Sequence, residues 1–292
     1  MMRFPPFALA LLALGFSLFG ASAALAVPPV WHVPGPHGTI TLFGSVHLLS
    51  KDTAWRTPAL DAEIARADQV WFEIPFDEAS QKNASGLIIA KGRAMPGQPL
   101  SNLLTGKDRA RLARVEAREG LPPAAIEGLK PWLAELLISV NWYKLKGADP
   151  TLGVEQEISS ALPPAKPRAA LETVEEQIRF FADASTAAQV ESLSQTLHDI
   201  EDDPGSFDRL AAAWATGDEK ALVREAILPM KRDAPAAYRT LIIERNRRWA
   251  ERILQLRASG GRIFMVVGAG HLVGPDGVPA LLRARGIKVE GP

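Results

Sequence analysis

No cysteine occurs anywhere in the 292 residues. Thiol nucleophiles, thiolate metal sites and disulfides are excluded together, and a metal ion would have to be held by histidine, carboxylate or water. Neither sign of charge is in excess, with 33 Lys and Arg against 33 Asp and Glu. Such a chain has no field to neutralise phosphates, so nucleic acid is not an expected partner. The basic cluster Arg245, Arg247, Arg248 and Arg252 reads instead as a solvated helix face. A His-Glu-x-x-His helix is missing, which excludes a standard zincin, and so is the Gly-x-Ser-x-Gly elbow of the serine α/β-hydrolases. Gly268-Ala269-Gly270 lacks the third glycine of a dinucleotide loop. There is no repeat of solenoid length. Beyond residue 26 no apolar run approaches the ~20 residues of a membrane-spanning helix.

What remains is a globular composition, 47% hydrophobic and 23% charged, long enough for one large domain or two small ones. The first 26 residues have the form of an export signal: Arg3, an uncharged apolar stretch from Phe7 to Phe19, and small-x-small sites at Ala21-Ser22-Ala23 and Ala24-Leu25-Ala26. We expect cleavage after Ala26 and an exported body, residues 27–292, with no integral membrane segment. A cysteine-free exported chain suggests a periplasmic or secreted location. The alternative is an uncleaved N-terminal anchor. Neither the substrate nor the oligomeric state is legible.

Periodicity predicts an α/β fold. Val30-Trp31-His32-Val33 and Thr39-Ile40-Thr41-Leu42-Phe43 flank turn chemistry and read as a β-hairpin. A helix from Pro58 to Arg66 and a strand at 69–74 complete a β-α-β unit, which implies parallel pairing. Residues 101–147, 174–200 and 206–258 are mostly helix-period sequence, with one strand expected at 168–171 and a capping box at Thr173 and Glu176. Arg262 to Val267 is a strand, Pro279 to Arg285 a short helix, and Ile287-Lys288-Val289 a last strand. The expectation is a parallel or mixed central sheet formed by the N- and C-terminal segments, in one domain with a large helical insertion or cap at about 101–258.

Three polar residues stand at the carboxyl ends of predicted strands: His47, Glu73 and His271. Ligands of open parallel sheets bind there. Each histidine follows a glycine by three residues, which permits a sharp exit and close backbone approach. Two imidazoles and a carboxylate are competent ligands for a divalent metal ion. A blander reading makes each a hydrogen-bonded structural residue. His32, His37 and His198 read as solvent-facing, and Trp132 and Trp142 as core anchors.

The chain also resembles a known family, TraB/GumN, whose animal relatives are the TIKI metalloproteases. The resemblance spans nearly the whole body. It rests on Leu42-Phe43-Gly44-Ser45-Val46-His47, Glu73, Lys130-Pro131-Trp132, Gly153-Val154-Glu155-Gln156, Leu171-Glu172-Thr173-Val174-Glu175-Glu176-Gln177, Glu244-Arg245-Asn246 and Val267-Gly268-Ala269-Gly270-His271-Leu272-Val273-Gly274. It implies a fold similar to that of the erythromycin esterases and the haem-binding lipoprotein ChaN. It further implies a metal-dependent hydrolytic site, with His47, Glu73 and His271 as ligands of a divalent ion (Mn, Co or Zn). Glu73 or Glu172 would then take a proton and Arg245 would stabilise developing negative charge, on a peptide or small-molecule substrate. Asn246 could orient a ligand or water, and Arg56 could face the cleft. Glu155 stands where Asp is the commoner family choice and is not expected to be catalytic. A metal-free variant uses His47 as general base oriented by Glu73. The rivals are a haem- or metal-binding protein without turnover, or an accessory to envelope or polysaccharide export.

Overall fold

The computed structural model describes residues 28–47, 49–50 and 53–292, so the expected export signal lies outside the described residues. Strand β1 (Val30–Gly35) folds back antiparallel on β2 (Gly38–Ser45), with Val30 opposite Phe43, as the hairpin pattern predicts. After β3 (Leu49–Ser50), Thr57 caps α1 (Pro58–Arg66) by accepting from the Leu60 N–H, and the helix buries Leu60 and Ile64. Strand β4 (Gln69–Phe72) follows, then α2 (Glu78–Gly92), α3 (Gly106–Glu119), α4 (Pro123–Ile126) and α5 (Pro131–Leu145). Strand β5 (Ala148–Asp149) pairs only with β3. Helix α6 (Val154–Ala161) leads to β6 (Arg168–Ala170), and the expected capping box of Thr173 and Glu176 opens α7 (Val174–Ala182).

The remaining helices are α8 (Thr186–Asp202), α9 (Ser206–Thr216), α10 (Glu219–Leu222), α11 (Leu228–Asp233), α12 (Pro235–Tyr238), α13 (Arg245–Ser259) and α14 (Val278–Arg283). Two π-helical turns, Val223–Ile227 and Arg239–Glu244, interrupt this run. Strand β7 (Ile263–Gly268) separates α13 from α14.

The main sheet has the order β1-β2-β7-β4-β6. Strands β2, β7, β4 and β6 run parallel and β1 antiparallel, so the fold is α/β with a mixed central sheet built from both ends of the chain. One detail of the expected β-α-β unit is corrected. Strands β2 and β4 are parallel but not neighbours, because both Ile40 and Gln69 pair with Ile263 of β7. Ile263 to Val267 are all buried, and a run that is apolar on both faces is stabilised most at the centre of a sheet.

Two further readings need correction. The strand expected at 287–289 is only a single antiparallel bridge, from His32 to Glu290. Helix α2 lies outside the expected helical ranges; its only stripe toward the core is Ala84, Leu87 and Ile88, half-buried, which is too short to give a clear helical period. Apart from the core around the sheet, α3, α5 and α8 share a second core with Val115, Ile138 and Leu197, and Trp132, Leu133, Val174 and Ile178 form a third. Among the described residues no helix is long and apolar enough to cross a membrane.

Candidate functional site

The carboxyl ends of β2, β7, β4 and β6 lie side by side and carry the candidate residues. Register places Ser45 opposite Gly268. Backbone bonds from Leu171 N–H to the Phe72 carbonyl (3.0 Å) and from Glu172 N–H to the Glu73 carbonyl (2.8 Å) continue the β4–β6 pairing past the strands. Glu73 and Glu172 therefore emerge as neighbours, both buried. Gly44, where β2 ends, lies close against Ala269, and a Cβ there would stand 3.2 Å from it. The first Gly-x-x-His motif thus packs directly against the second.

Arg245, at the start of α13, joins the two carboxylates. Its Nη2 donates to Glu73 Oε2 (2.7 Å) and Glu172 Oε2 (2.8 Å), and its Nε faces both Glu172 oxygens (3.0 and 3.1 Å). Nη1 donates to His271 Nε2 (3.0 Å) and points at the Leu241 carbonyl (3.5 Å). Every N–H of the guanidinium is engaged. Arg245 is 5% exposed, so the solvated-face reading holds for Arg247, Arg248 and Arg252 but is wrong for this residue. A buried guanidinium survives because paired carboxylates replace the water it loses.

Glu172 also accepts from Trp249 Nε1 (3.0 Å) and Arg248 Nη2 (3.4 Å). Glu73 accepts from the Gly268 N–H (2.7 Å) and Gln177 Nε2 (3.0 Å). Burial pushes the Glu73 carboxyl up, but the charges of His271, Arg245 and His47 and the Gly268 N–H more than offset this and bring it down to about 2. His271 is itself held down, to about 4, by burial first and then by the charges of Arg245 and His47, against the pull of Glu73. The imidazole is therefore neutral at neutral pH, and Arg245, His47 and Gly268 keep Glu73 ionised. His271 Nδ1 lies 2.6 Å from Asn246 Oδ1, while Asn246 Nδ2 donates to the Asp276 carbonyl (2.8 Å). Trp249 packs on the ring with centroids 4.4 Å apart.

His47 sits apart from this network. Its side chain is 70% exposed, and Nδ1 lies 3.0 Å from Oε1 of Glu155, whose side chain is 5% exposed. Ser45 Oγ donates to the same oxygen (2.5 Å). Glu155 reaches this place because Val154 N–H bonds the Val46 carbonyl (3.1 Å) and Gly153 has no side chain. A Cβ at Gly153 would lie 2.4 Å from the His47 carbonyl oxygen. The Glu155 carboxylate pushes the imidazole up to about 9, against desolvation, with Glu73 adding to the rise. Burial pushes Glu155 up in turn, but the charge and hydrogen bond of His47 outweigh it and its carboxyl is lowered.

Glu155 therefore orients His47, a role expected of Glu73. The sequence carried one signal of it, an acid in the Gly153-Val154-Glu155-Gln156 segment. Ser45 and Gln177 lie in two other segments of the resemblance, Leu42 to His47 and Leu171 to Gln177, but were given no role there, and Trp249 carried no signal. Arg56 bonds Asp61 at the start of α1 instead of the centre. His32 is half-buried against Glu63 (3.2 Å) and is not solvent-facing as expected, whereas His37 and His198 are exposed.

The donor types suit a divalent metal ion, and in this arrangement Arg245 engages two of them, His271 and Glu73. His271 Nε2 and Glu73 Oε1 are 3.9 Å apart. Arg245 donates to His271 Nε2 and to the other Glu73 oxygen, Oε2. Among the described residues no group of three or more His, Asp and Glu side chains is placed to hold a metal ion.

The sequence pattern of the TraB/PrgY/gumN family matches residues 29–291. No curated protein and no solved structure matches the chain.

Proposed function

For a chain that belongs to the TraB/PrgY/gumN family, we propose a hydrolase that cleaves an ester or peptide bond by general acid–base chemistry at His47. One observation carries this reading: an imidazole open to solvent is held by a buried carboxylate, Glu155, which is itself fixed by Ser45. That is the arrangement of a base and its orienting group. With Nδ1 tied to Glu155, Nε2 faces outward. The neutral ring takes a proton from water as the water oxygen adds to the carbonyl carbon. The imidazolium, stabilised by Glu155, then returns that proton to the leaving oxygen or nitrogen as its bond to carbon breaks and the carbonyl of the tetrahedral intermediate re-forms. Arg245 has no free N–H for an oxyanion, so its part is to hold Glu73, Glu172 and His271 in place. Glu172, saturated with donors, supports in the same way.

A second reading keeps a divalent ion such as Mn, Co or Zn. One feature favours it: both imidazoles have Nδ1 engaged, His47 by Glu155 and His271 by Asn246, which is how metal-binding histidines are oriented. The export signal read in residues 1–26 would put either chemistry outside the cytoplasm. Amino-terminal sequencing of protein from the periplasmic fraction tests that.

The test of function is a panel of esters and peptides assayed with wild type, His47→Ala and Glu155→Gln, in chelator and with each metal added. Turnover that persists in chelator and falls by about 10²-fold or more in both variants supports acid–base chemistry at His47. Turnover only with added metal supports the second reading. Stoichiometric metal or haem binding without turnover on any substrate points to a binding protein.

A further inference from the structure

A cavity of about 550 Å³ lies in the helical region, away from His47. That is the size of a small-molecule site. One wall is apolar and includes Trp132, Leu136, Phe181 and Met230. The other is a face of α8, where Gln189, Ser192, Thr196 and Asp199 recur at helical spacing. The apolar residues of α8, Leu193, Leu197 and Ile200, are turned into the second core instead.

Helix α5 supplies the polar centre of this cavity. Ser192 Oγ (2.8 Å) and Thr196 Oγ1 (3.0 Å) both donate to Oε1 of Glu135. Of the other carboxylates in the lining, Glu225 is paired with Arg209 and Arg224, and Asp199 lies beside His198. Among the described residues Glu135 is held by these two hydroxyls, and burial pushes its carboxyl up. Among the described residues no Lys, Arg or His lines the cavity. The two π-helical turns add Glu225, Ala226, Thr240 and Leu241 to its walls. Such turns give up regular helical bonding and recur at functional sites.

We propose that this cavity binds an amphipathic amine, with its apolar body against Trp132, Phe181 and Met230 and its ammonium group on Glu135. The apolar wall supplies burial, and the carboxylate supplies the charge that an ammonium needs on leaving water. Phe180 and Leu241 form a partition shared with Arg245, whose guanidinium carbon lies 5.3 Å from the Phe180 ring centre. Binding here does not depend on hydrolysis at His47.

The test is calorimetric titration of the full chain with n-octylammonium, n-octanol and octanoate, each below its micelle concentration. It uses wild type, Glu135→Gln, which still accepts from both hydroxyls, and Ala188→Trp, which fills the cavity, with folding checked by circular dichroism. Ala237→Phe replaces Ala188→Trp if that protein does not fold. Octylammonium should bind wild type at least about tenfold more tightly than octanol, and octanoate should not bind. Glu135→Gln should bring octylammonium to within about twofold of octanol, and the filled cavity should bind neither. The proposal is overturned if octylammonium does not bind, if octanoate or octanol matches it, or if either variant leaves its binding unchanged.

Discussion

Arg245 Nη1 stands 3.0 Å from His271 Nε2. A guanidinium can only donate, so Nε2 carries the lone pair and the ring proton is on Nδ1, facing Asn246 Oδ1 at 2.6 Å. The amide cannot be turned over, because Nδ2 is committed to the Asp276 carbonyl. One contact thus fixes the tautomer of His271, and through it the use of Asn246. The same guanidinium bonds both His271 Nε2 and Glu73 Oε2.

Removing that guanidinium should be costly. Arg245→Ala leaves Glu73 and Glu172 buried side by side without the guanidinium that joins them, Arg248 still reaching one Glu172 oxygen, a loss of roughly 3–5 kcal/mol. In a domain of this size the melting temperature should fall by roughly 10 °C. Thermal unfolding at neutral pH checks this, and a drop of only a degree or two would show that the cluster is not held by Arg245.

Acid should weaken the fold in two stages. His271 takes a proton near 6.5 when unfolded but only at about 4 when folded, so the unfolded chain binds more protons between these values and stability falls as pH drops through them. At ~1.4 kcal/mol per unit this amounts to roughly 3 kcal/mol. Glu73, lowered from 4.5 to about 2, continues the loss below that window. Urea unfolding across the acid range should show both stages, and His271→Gln should remove the first and, by taking away a charge that holds Glu73 down, reduce the second.

The His47 pair works in the opposite sense. Its contribution is fully present below pH 6.5 and is lost as pH rises through about 9, where the folded imidazole gives up its proton. If the neutral ring is the base, turnover rises over the same interval. Glu155→Gln should move that rise down toward the ordinary histidine range while lowering the maximal rate, which a pH–rate profile of both proteins would reveal.

Gly153 offers a backbone test. In Gly153→Ala the new Cβ would press on the His47 carbonyl oxygen, forcing the start of α6 away from the end of β2 and drawing Glu155 off the ring. The variant should lose stability and lower the His47 pKa together. An unchanged His47 titration would mean that the glycine has no part in placing Glu155.

Much of this arrangement was legible in the sequence because its signals are local. The hairpin, the capping box and β7 each rest on a few adjacent residues, and strand-end placement brought Glu73 and His271 together in advance. The place of β7 between β2 and β4 was not legible, since pairing is decided by which strand is buried on both faces. Nor was the partner of His47, which comes from α6, far along the chain. Arg245 misled because the other arginines of its cluster, Arg247, Arg248 and Arg252, are indeed exposed, whereas Arg245 falls on the buried face of α13 with Asn246 and Trp249.

Nitrogen NMR of the imidazole-labelled protein, followed from acid to alkaline pH with and without chelator, is the most direct test of how the centre is built. His271 should keep its proton on Nδ1 and remain neutral down to about pH 4, His47 should titrate at about 9, and neither should respond to chelator. A His271 that carries its proton on Nε2 or titrates in the ordinary range would contradict the arginine-held arrangement, as would metal-dependent shifts at both rings.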